Sequence, residues 1–291
     1  MVGAARCGTT SLYNYLNNCK DVFLPKVKEP NFFSEVDSPK SEDFELPEPN
    51  QTYHSKIINS EEVYNNLYQE AAANQLKGDT SPSYLWDNKA AKKLYNHNPN
   101  AKIIISLRHP VDRAYSHYIM NYFTGVDSNK SFQEALNAQK NTMWGSCNQY
   151  LEMGAYFNQV SAFYDVFPKN QIKILIYEDW TKDVEKYVNE VFEFLGLNPC
   201  ESIYSSTIES NKIQPVKKMF LLNFLRQNKI KHTIKNIISQ DRIDSLKSYI
   251  FSDDKEIEKI DESLRNRLSL NFEEDINRLS QLTGIDFNKK W

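Results

Sequence analysis

The stretch Gly3-Ala4-Ala5-Arg6-Cys7-Gly8-Thr9-Thr10-Ser11 opens the chain, and it restricts the possible folds more than any other segment. Gly3 and Gly8, followed at once by hydroxyl residues, approximate G-x4-G-K-[ST], a pattern whose backbone N–H groups wrap a phosphate at the mouth of a helix. A helix is expected to follow, because Leu12, Tyr13 and Leu16 recur at helical spacing with Thr9 or Thr10 as N-cap. The lysine of the pattern is missing: Thr9 holds its place, and the nearest cation, Arg6, stands before Gly8. Such a loop suits one terminal phosphate, with N–H groups and the hydroxyls of Thr9, Thr10 and Ser11 donating and Arg6 neutralising the charge. The other reading is a plain helix N-cap that includes a glycine. Met1-Val2 is a short remnant of the strand that ought to lead into the loop, so the sequence reads as continuing upstream.

The rest of the chain alternates strand and helix signals. The run Lys102 to Leu107 reads as a buried parallel strand, closed by Arg108-His109-Pro110 and followed by a helix through Tyr122. A helix from Tyr156 to Tyr164 leads into a strand from Ile172 to Tyr177, and a helix from Val184 to Leu195 ends at Gly196. Further helices are expected over Glu61 to Ala73 and Asn88 to Asn96. The acidic stretch of about residues 32–60, with Pro39, Pro47 and Pro49, reads as an irregular excursion, and about 210–291 as a basic, then helical, C-terminal part. This alternation predicts an α/β fold with a mostly parallel sheet, in a single domain spanning 1–291.

Composition narrows the function classes. A net charge of −3 provides no basic footprint for nucleic acid, so any anion site must be local. The apolar runs fall far short of the ~20 residues that span a bilayer. Cys7, Cys19, Cys147 and Cys200 form no CxxC pair, which argues against a zinc site or a disulfide framework and fits a reducing cytoplasm.

Several short motifs occur in a telling order: Gly8-Thr9-Thr10-Ser11-Leu12, Lys28-Glu29-Pro30-Asn31-Phe32-Phe33, Ser81-Pro82-Ser83-Tyr84, and Leu107-Arg108-His109-Pro110-Val111-Asp112-Arg113-Ala114-Tyr115-Ser116. Tyr177-Glu178-Asp179, Phe194-Leu195-Gly196-Leu197 and Leu282-Thr283-Gly284 with Trp291 follow. In this order the chain resembles the PAPS-dependent sulfotransferases, as a bacterial member, over its whole length. The resemblance implies a three-layer P-loop-like fold with a central, mostly parallel sheet flanked by helices. It implies PAPS (3′-phosphoadenosine 5′-phosphosulfate) as co-substrate, PAP as product and no metal.

The resemblance also assigns roles. The first loop, Arg6 to Ser11 including Cys7, would bind the 5′-phosphosulfate, with Arg6 where the family usually has Lys. Arg108 at a strand end and Ser116 on the next helix would hold the 3′-phosphate. Tyr177 matches a tyrosine near the adenine, or is a strand-end core residue. Lys212, Lys217 and Lys218 match a basic loop over the nucleotide, or form a solvated charge run. Glu29 of the K-E-x-x-F-F stretch is the expected base, with Lys28 or Arg6 facing the phosphosulfate; the alternatives are a surface carboxylate paired with Lys28, and His54 as base. His109 and His117 read as structural or nucleotide-facing, His97 and His232 lack context, and Arg113 reads as a solvated helix cation, or as an accessory to the 3′-phosphate pair. Ser34 and Thr80 stand where heparan-type enzymes carry Asp and Lys, which argues against a heparan-like substrate. The expected acceptor is a hydroxyl or amine of a small metabolite, before a sugar or glycolipid. A kinase-like nucleotide enzyme and a non-catalytic nucleotide-binding protein are the other readings. The excursion after Phe32 and the stretch Asn121 to Gly154, with Trp144, carry no readable acceptor code.

Overall fold

The computed structural model describes residues 1–36, 58–124, 126–198 and 260–291. At its centre, strand β3 (Ile103–Leu107) pairs in parallel with β4 (Ile172–Ile176). On the other side of β3 the residues leading into the first loop run parallel to it: Val2 N–H donates to Ile104 O at 3.0 Å and Ala4 N–H to Ser106 O at 2.7 Å. The short entry strand is therefore in place although only a bridge at Gly3 is regular. A second parallel pair, β1 (Val22–Phe23) with β2 (Leu76–Lys77), lies apart from this sheet.

Successive residues of β3 point to opposite faces, and both faces are covered. Ile103, Ile105 and Leu107 enter one apolar cluster with Val111, Ala114, Tyr156, Val160 and Phe163, whereas Ile104 enters another with Leu12, Leu16, Val188, Val191 and Phe192. Helix α1 (Thr9–Asn17) and a late helix, Val184–Leu195, thus form one outer layer. The other layer is formed largely by Pro110–Phe123 and Tyr156–Tyr164, with Glu273–Thr283 packed on the latter. This is the α/β, three-layer arrangement anticipated from the alternation of signals, and a β-branched strand buried on both faces is what a parallel sheet demands.

In chain order the remaining helices are α2 (Glu61–Asn66), α3 (Ser83–Trp86), α4 (Ala90–His97), α5 (Pro110–Phe123), α6 (Phe132–Asn137), α7 (Tyr156–Tyr164), α8 (Tyr177–Trp180), α9 (Val184–Leu195), α10 (Glu262–Ser269) and α11 (Glu273–Thr283). Helix α2 stops well short of Ala73; the chain leaves it at Asn65 and Asn66 in successive turns, for which asparagine is suited and helix interiors are not. Helix α9 ends at Gly196 with φ 80°, as expected. Thr9 and Thr10 are not the N-cap of α1. Gly8 is, in the left-handed region at φ 78°, and no side chain caps the helix. A Cβ on Gly8 would run into the ring of Trp180, so glycine is required there both by conformation and by space. Among the described residues no helix is long and apolar enough to cross a membrane. His54, Cys200, Lys212, Lys217, Lys218 and His232 lie outside the described residues.

Candidate active site

The first loop is tied to the sheet beneath it. Ser106 Oγ donates to Cys7 O at 2.7 Å and accepts from Trp180 Nε1 at 3.1 Å, fixing loop, β3 and α8 around one hydroxyl. Cys7 is fully buried and burial pushes its thiol up to about 11, so it is inert packing beneath the loop. Because Leu12 N–H makes the first bond back to Gly8 O, the N–H groups of Thr9, Thr10 and Ser11 have no partner within the helix. That is the donor set a bound phosphate group needs.

Arg6, at φ 70°, holds a conformation disfavoured for residues that carry a Cβ. It turns its guanidinium onto α5: Nε and Nη2 both donate to Ser116 Oγ at 3.2 Å, and Nη1 approaches Met120 Sδ at 3.3 Å. Since Ser116 Oγ accepts from Arg6, its own O–H is left to donate to a ligand oxygen. The loop cation and the serine expected at the 3′-phosphate are therefore one unit. Burial, and then repulsion from Arg108 and Arg113, depress the Arg6 pKa. Three guanidiniums gathered around a loop of free N–H groups fit the phosphates of PAPS, whose charge would relieve that repulsion. Arg108 lies over the ring of Tyr177, 4.7 Å from its centroid, a cation–π contact worth about 0.5–1 kcal/mol at partly exposed sites.

Arg113 is not a solvated cation. It is completely buried, with Nη2 donating to Tyr150 O at 2.6 Å and Nη1 to Ala5 O at 3.4 Å, while its Nε has no partner. It belongs to a polar stripe on α5 at i, i+4, i+8, namely Arg113, His117 and Asn121, all buried against the segment 147–150. Asn121 Nδ2 donates to Cys147 O at 2.8 Å, and the His117 ring meets Tyr150 edge-on at 5.0 Å. The stripe binds this segment to the phosphate loop, so the stretch without a readable code becomes a wall of the site.

Lys28 and Glu29 form the opposite side. Both are buried, with Lys28 Nζ 2.6 Å from Glu29 Oε1, which overturns the picture of Glu29 as a surface carboxylate though not its pairing with Lys28. Burial raises the Glu29 pKa, opposed by Lys28 and reinforced by Asp79. Glu29 has φ 63° and Asn31 φ 55°, a tight turn held from outside by the Ser81-Pro82-Ser83 segment. Asn31 N–H donates to Ser81 Oγ at 3.1 Å, Ser83 Oγ donates to Asn31 Oδ1 at 2.6 Å, and Asn31 Nδ2 donates back to Glu29 O at 2.7 Å. Two of the sequence motifs are thus halves of one turn-holding network, and Ser81, Ser83 and Asn31 are functional supports that motif order alone did not assign.

A cavity of about 170 Å3 separates the two sides. Arg6, Thr9 and Thr10 line it from the loop, Lys28 and Glu29 from the turn, and His117, Trp144 and Cys147 from the wall. Cationic donor groups and a buried carboxylate of raised pKa therefore share one space, the combination general-base chemistry on an anionic donor requires. His109 is not in this space. It is buried between α5 and α10, burial lowers its pKa to about 4, and Ser269 Oγ lies 3.4 Å from Nε2. It has a structural place, as does Glu178, which accepts from His109 N–H at 2.9 Å and from Trp291 Nε1 at 3.0 Å and so braces the Arg108 turn.

The sequence profile of the sulfotransferase domain family matches residues 1–272. The fold superposes on a crystal structure of a sulfotransferase from Alicyclobacillus acidocaldarius with a TM-score of 0.69 and 27% identity, covering 99% of this chain and 96% of that one. Human carbohydrate sulfotransferase 15 is 27% identical over 267 residues, covering 74% of this chain and 47% of the relative. Mouse heparan sulfate glucosamine 3-O-sulfotransferase 6 is 25% identical over 201 residues, covering 68% and 51%. The chain spans about half the length of these curated relatives.

Proposed function

The chain belongs to the sulfotransferase domain family, and we propose that it transfers the sulfuryl group of PAPS to a hydroxyl or amine of a small metabolite, releasing PAP, with Glu29 as base. The observation that carries this reading is the cavity itself, where the Arg6 loop faces the buried Lys28–Glu29 pair. In the proposed reaction the acceptor oxygen or nitrogen attacks sulfur, its proton passes to the Glu29 carboxylate, and the bond from sulfur to the bridging phosphate oxygen breaks in line. The electron pair leaves with PAP, whose phosphate charge Arg6 and the first-turn N–H groups of α1 balance. Arg108 and Ser116 hold the 3′-phosphate, and Arg113 adds positive potential without touching the ligand. Lys28 keeps Glu29 oriented and places a second cation by the departing group.

A raised carboxylate pKa suits a base that must accept a proton near neutrality. Glu29→Gln is the test, in incubations of PAPS with a panel of metabolite and sugar acceptors read by mass spectrometry. Sulfation should fall by about 10² or more while PAP binding persists; undiminished turnover would remove Glu29 from the role. A sugar or glycolipid acceptor is the second reading, favoured by the names of the curated relatives, and the same panel separates the two.

A further inference from the structure

Resting on the reading of Glu29 as base, we infer that Asp79 is its positioning residue, holding through Ser81 and Asn31 the turn that presents Glu29 to the cavity. Hydroxyls of three residues converge on the Asp79 carboxylate. Ser81 Oγ donates to Oδ1 at 2.7 Å, while Tyr84 and Tyr64 donate to Oδ2 at 2.7 and 3.1 Å. A serine hydroxyl has one proton to give. That of Ser81 goes to Asp79, so the oxygen is turned to accept, and Asn31 N–H donates to it at 3.1 Å. Asn31 Nδ2 in turn donates to Glu29 O at 2.7 Å. Asp79 thus fixes the direction of the whole relay. The relay has strain to hold: Glu29 at φ 63° and Asn31 at φ 55° both occupy the left-handed region, which residues with a Cβ keep only where the surroundings impose it. The bonds to Tyr64 and Tyr84 would suffice for a brace of the core. The bond to Ser81 carries the carboxylate's influence to the turn.

The same carboxylate acts on Glu29 through its charge. Burial raises the Glu29 pKa, Lys28 opposes the rise, and Asp79 adds to it. The other titratable groups around Glu29 are Arg6 on the loop, His117 on α5 and Cys147 on the wall, which line the same cavity. Asp79 itself faces Tyr64, Tyr68, Tyr84 and the Met1 amino group. Burial pushes all three tyrosines up, away from neutrality, and lowers the Met1 amino group to about 6. Burial also raises the pKa of Asp79, against the pull of Tyr84 and Ser81, so the two carboxyls resist ionising together. With the charge at 79 removed, Glu29 ionises more easily. The Met1 amino group is common to parent and variant, and the difference between them reads the Asp79 charge.

The test follows the Glu29 carboxyl by NMR in protein isotope-labelled at the glutamate side-chain carboxyls, where the resonance missing from Glu29→Gln identifies it. PAP affinity, titrated first in every variant, reports on folding. Asp79→Asn keeps an acceptor for Ser81 and removes the charge. In it the Glu29 midpoint should move to lower pH while those of the other glutamates stay in place. With PAPS and an acceptor drawn from the panel of metabolites and sugars, kcat should fall by about tenfold or more in Ser81→Ala and in Asp79→Ala, since misplacing a reacting group by about 1 Å can cost about 10². PAP affinity should stay within about twofold in both, and Asp79→Asn should recover most of the lost kcat. An unmoved Glu29 midpoint in Asp79→Asn, or a kcat untouched by Ser81→Ala, overturns the assignment. Loss of PAP binding in Asp79→Asn does so too, because collapse on an isosteric change would make Asp79 a brace of the core. Rates that survive Glu29→Gln would instead unseat Glu29 as base, and the midpoint would still decide whether Asp79 acts on it.

Discussion

Arg6 donates two of its nitrogens to the hydroxyl of Ser116, a residue 110 positions away. The first loop and the Arg108 to Ser116 motif, the two expected phosphate sites, are thereby in direct contact. If each served its own phosphate independently, their substitutions would add. Because they share a bond, Arg6→Ala and Ser116→Ala should couple by about 0.5–3 kcal/mol in a double-mutant cycle on PAP affinity. Isothermal titration of the four proteins measures it, and strict additivity would show that the contact carries no binding energy.

Arg6→Lys sharpens the same point. The ammonium keeps the charge but loses the planar fork that reaches Ser116 with two nitrogens. PAP affinity should fall by less than in Arg6→Ala, and Ser116→Ala should then weaken binding less in the Lys background than in the parent. An unchanged Ser116→Ala effect would place the coupling elsewhere.

Much of this arrangement was legible in the sequence. The strand at Ile103 to Leu107, the helix after Pro110 and the glycine stop at Gly196 follow from β-branching, proline and left-handed backbone, which are local effects. The charge state and burial of α5 were not legible by the same logic. An arginine that follows an aspartate near a helix start reads as surface, and Arg113 is inside because its helix is covered on nearly every side, a tertiary circumstance. Arg113, His117 and Asn121 recur every four residues, but a polar stripe of that period is also what the solvent face of an amphipathic helix shows. The support of Glu29 by Asn31, Ser81 and Ser83 joins segments about 50 residues apart in sequence, and no local pattern encodes that pairing. The cap of α1 differs from the expected threonine because Gly8, with φ above zero, turns the chain into the helix without a side chain that accepts from the first-turn N–H groups.

Arg108 tests the second phosphate separately. Among the described residues its guanidinium rests on Tyr177 and is paired with no carboxylate, so its N–H groups are left for a ligand. Arg108→Ala should weaken PAP far more than adenosine 5′-phosphosulfate, which lacks the 3′-phosphate. Competition binding of the two nucleotides provides the ratio, and equal losses refute the assignment.

Arg113→Met addresses stability. A solvated helix cation would tolerate the change within about 0.5 kcal/mol. Arg113 instead holds the carbonyls of Ala5 and Tyr150 from a fully buried position, and bonds to charged groups are worth about 1.5–3 kcal/mol each. Unfolding by denaturant should therefore show a loss of about 2 kcal/mol or more, with PAP affinity reduced because the loop at Ala5 loses its anchor. A variant as stable as the parent would mean that methionine packing replaces both bonds.

Glu29 sets two pH dependences of definite sign. Its pKa is raised chiefly by burial, with Lys28 pulling the other way, so the ionised base is lost as pH falls through a value above the ordinary 4.5. Sulfation kcat/KM should decline along that acid limb in the parent, and Glu29→Gln should flatten the limb while lowering the plateau. Stability runs in the opposite direction. A folded-state pKa above the unfolded value means that the folded protein binds this proton more tightly, so the contribution is fully present below 4.5 and is lost as pH rises through the raised value. The melting temperature of Glu29→Gln minus that of the parent should therefore increase from pH 4 to pH 8. Removal of the partner of Lys28 adds an offset, since leaving one member of a buried pair costs about 3–5 kcal/mol, so the prediction is carried by the change of the difference with pH and not by its sign at any one pH. Melting curves across the range together with the rate profile decide the matter: a difference that stays flat with pH, alongside an acid limb kept in Glu29→Gln, would assign the titrating base to another residue.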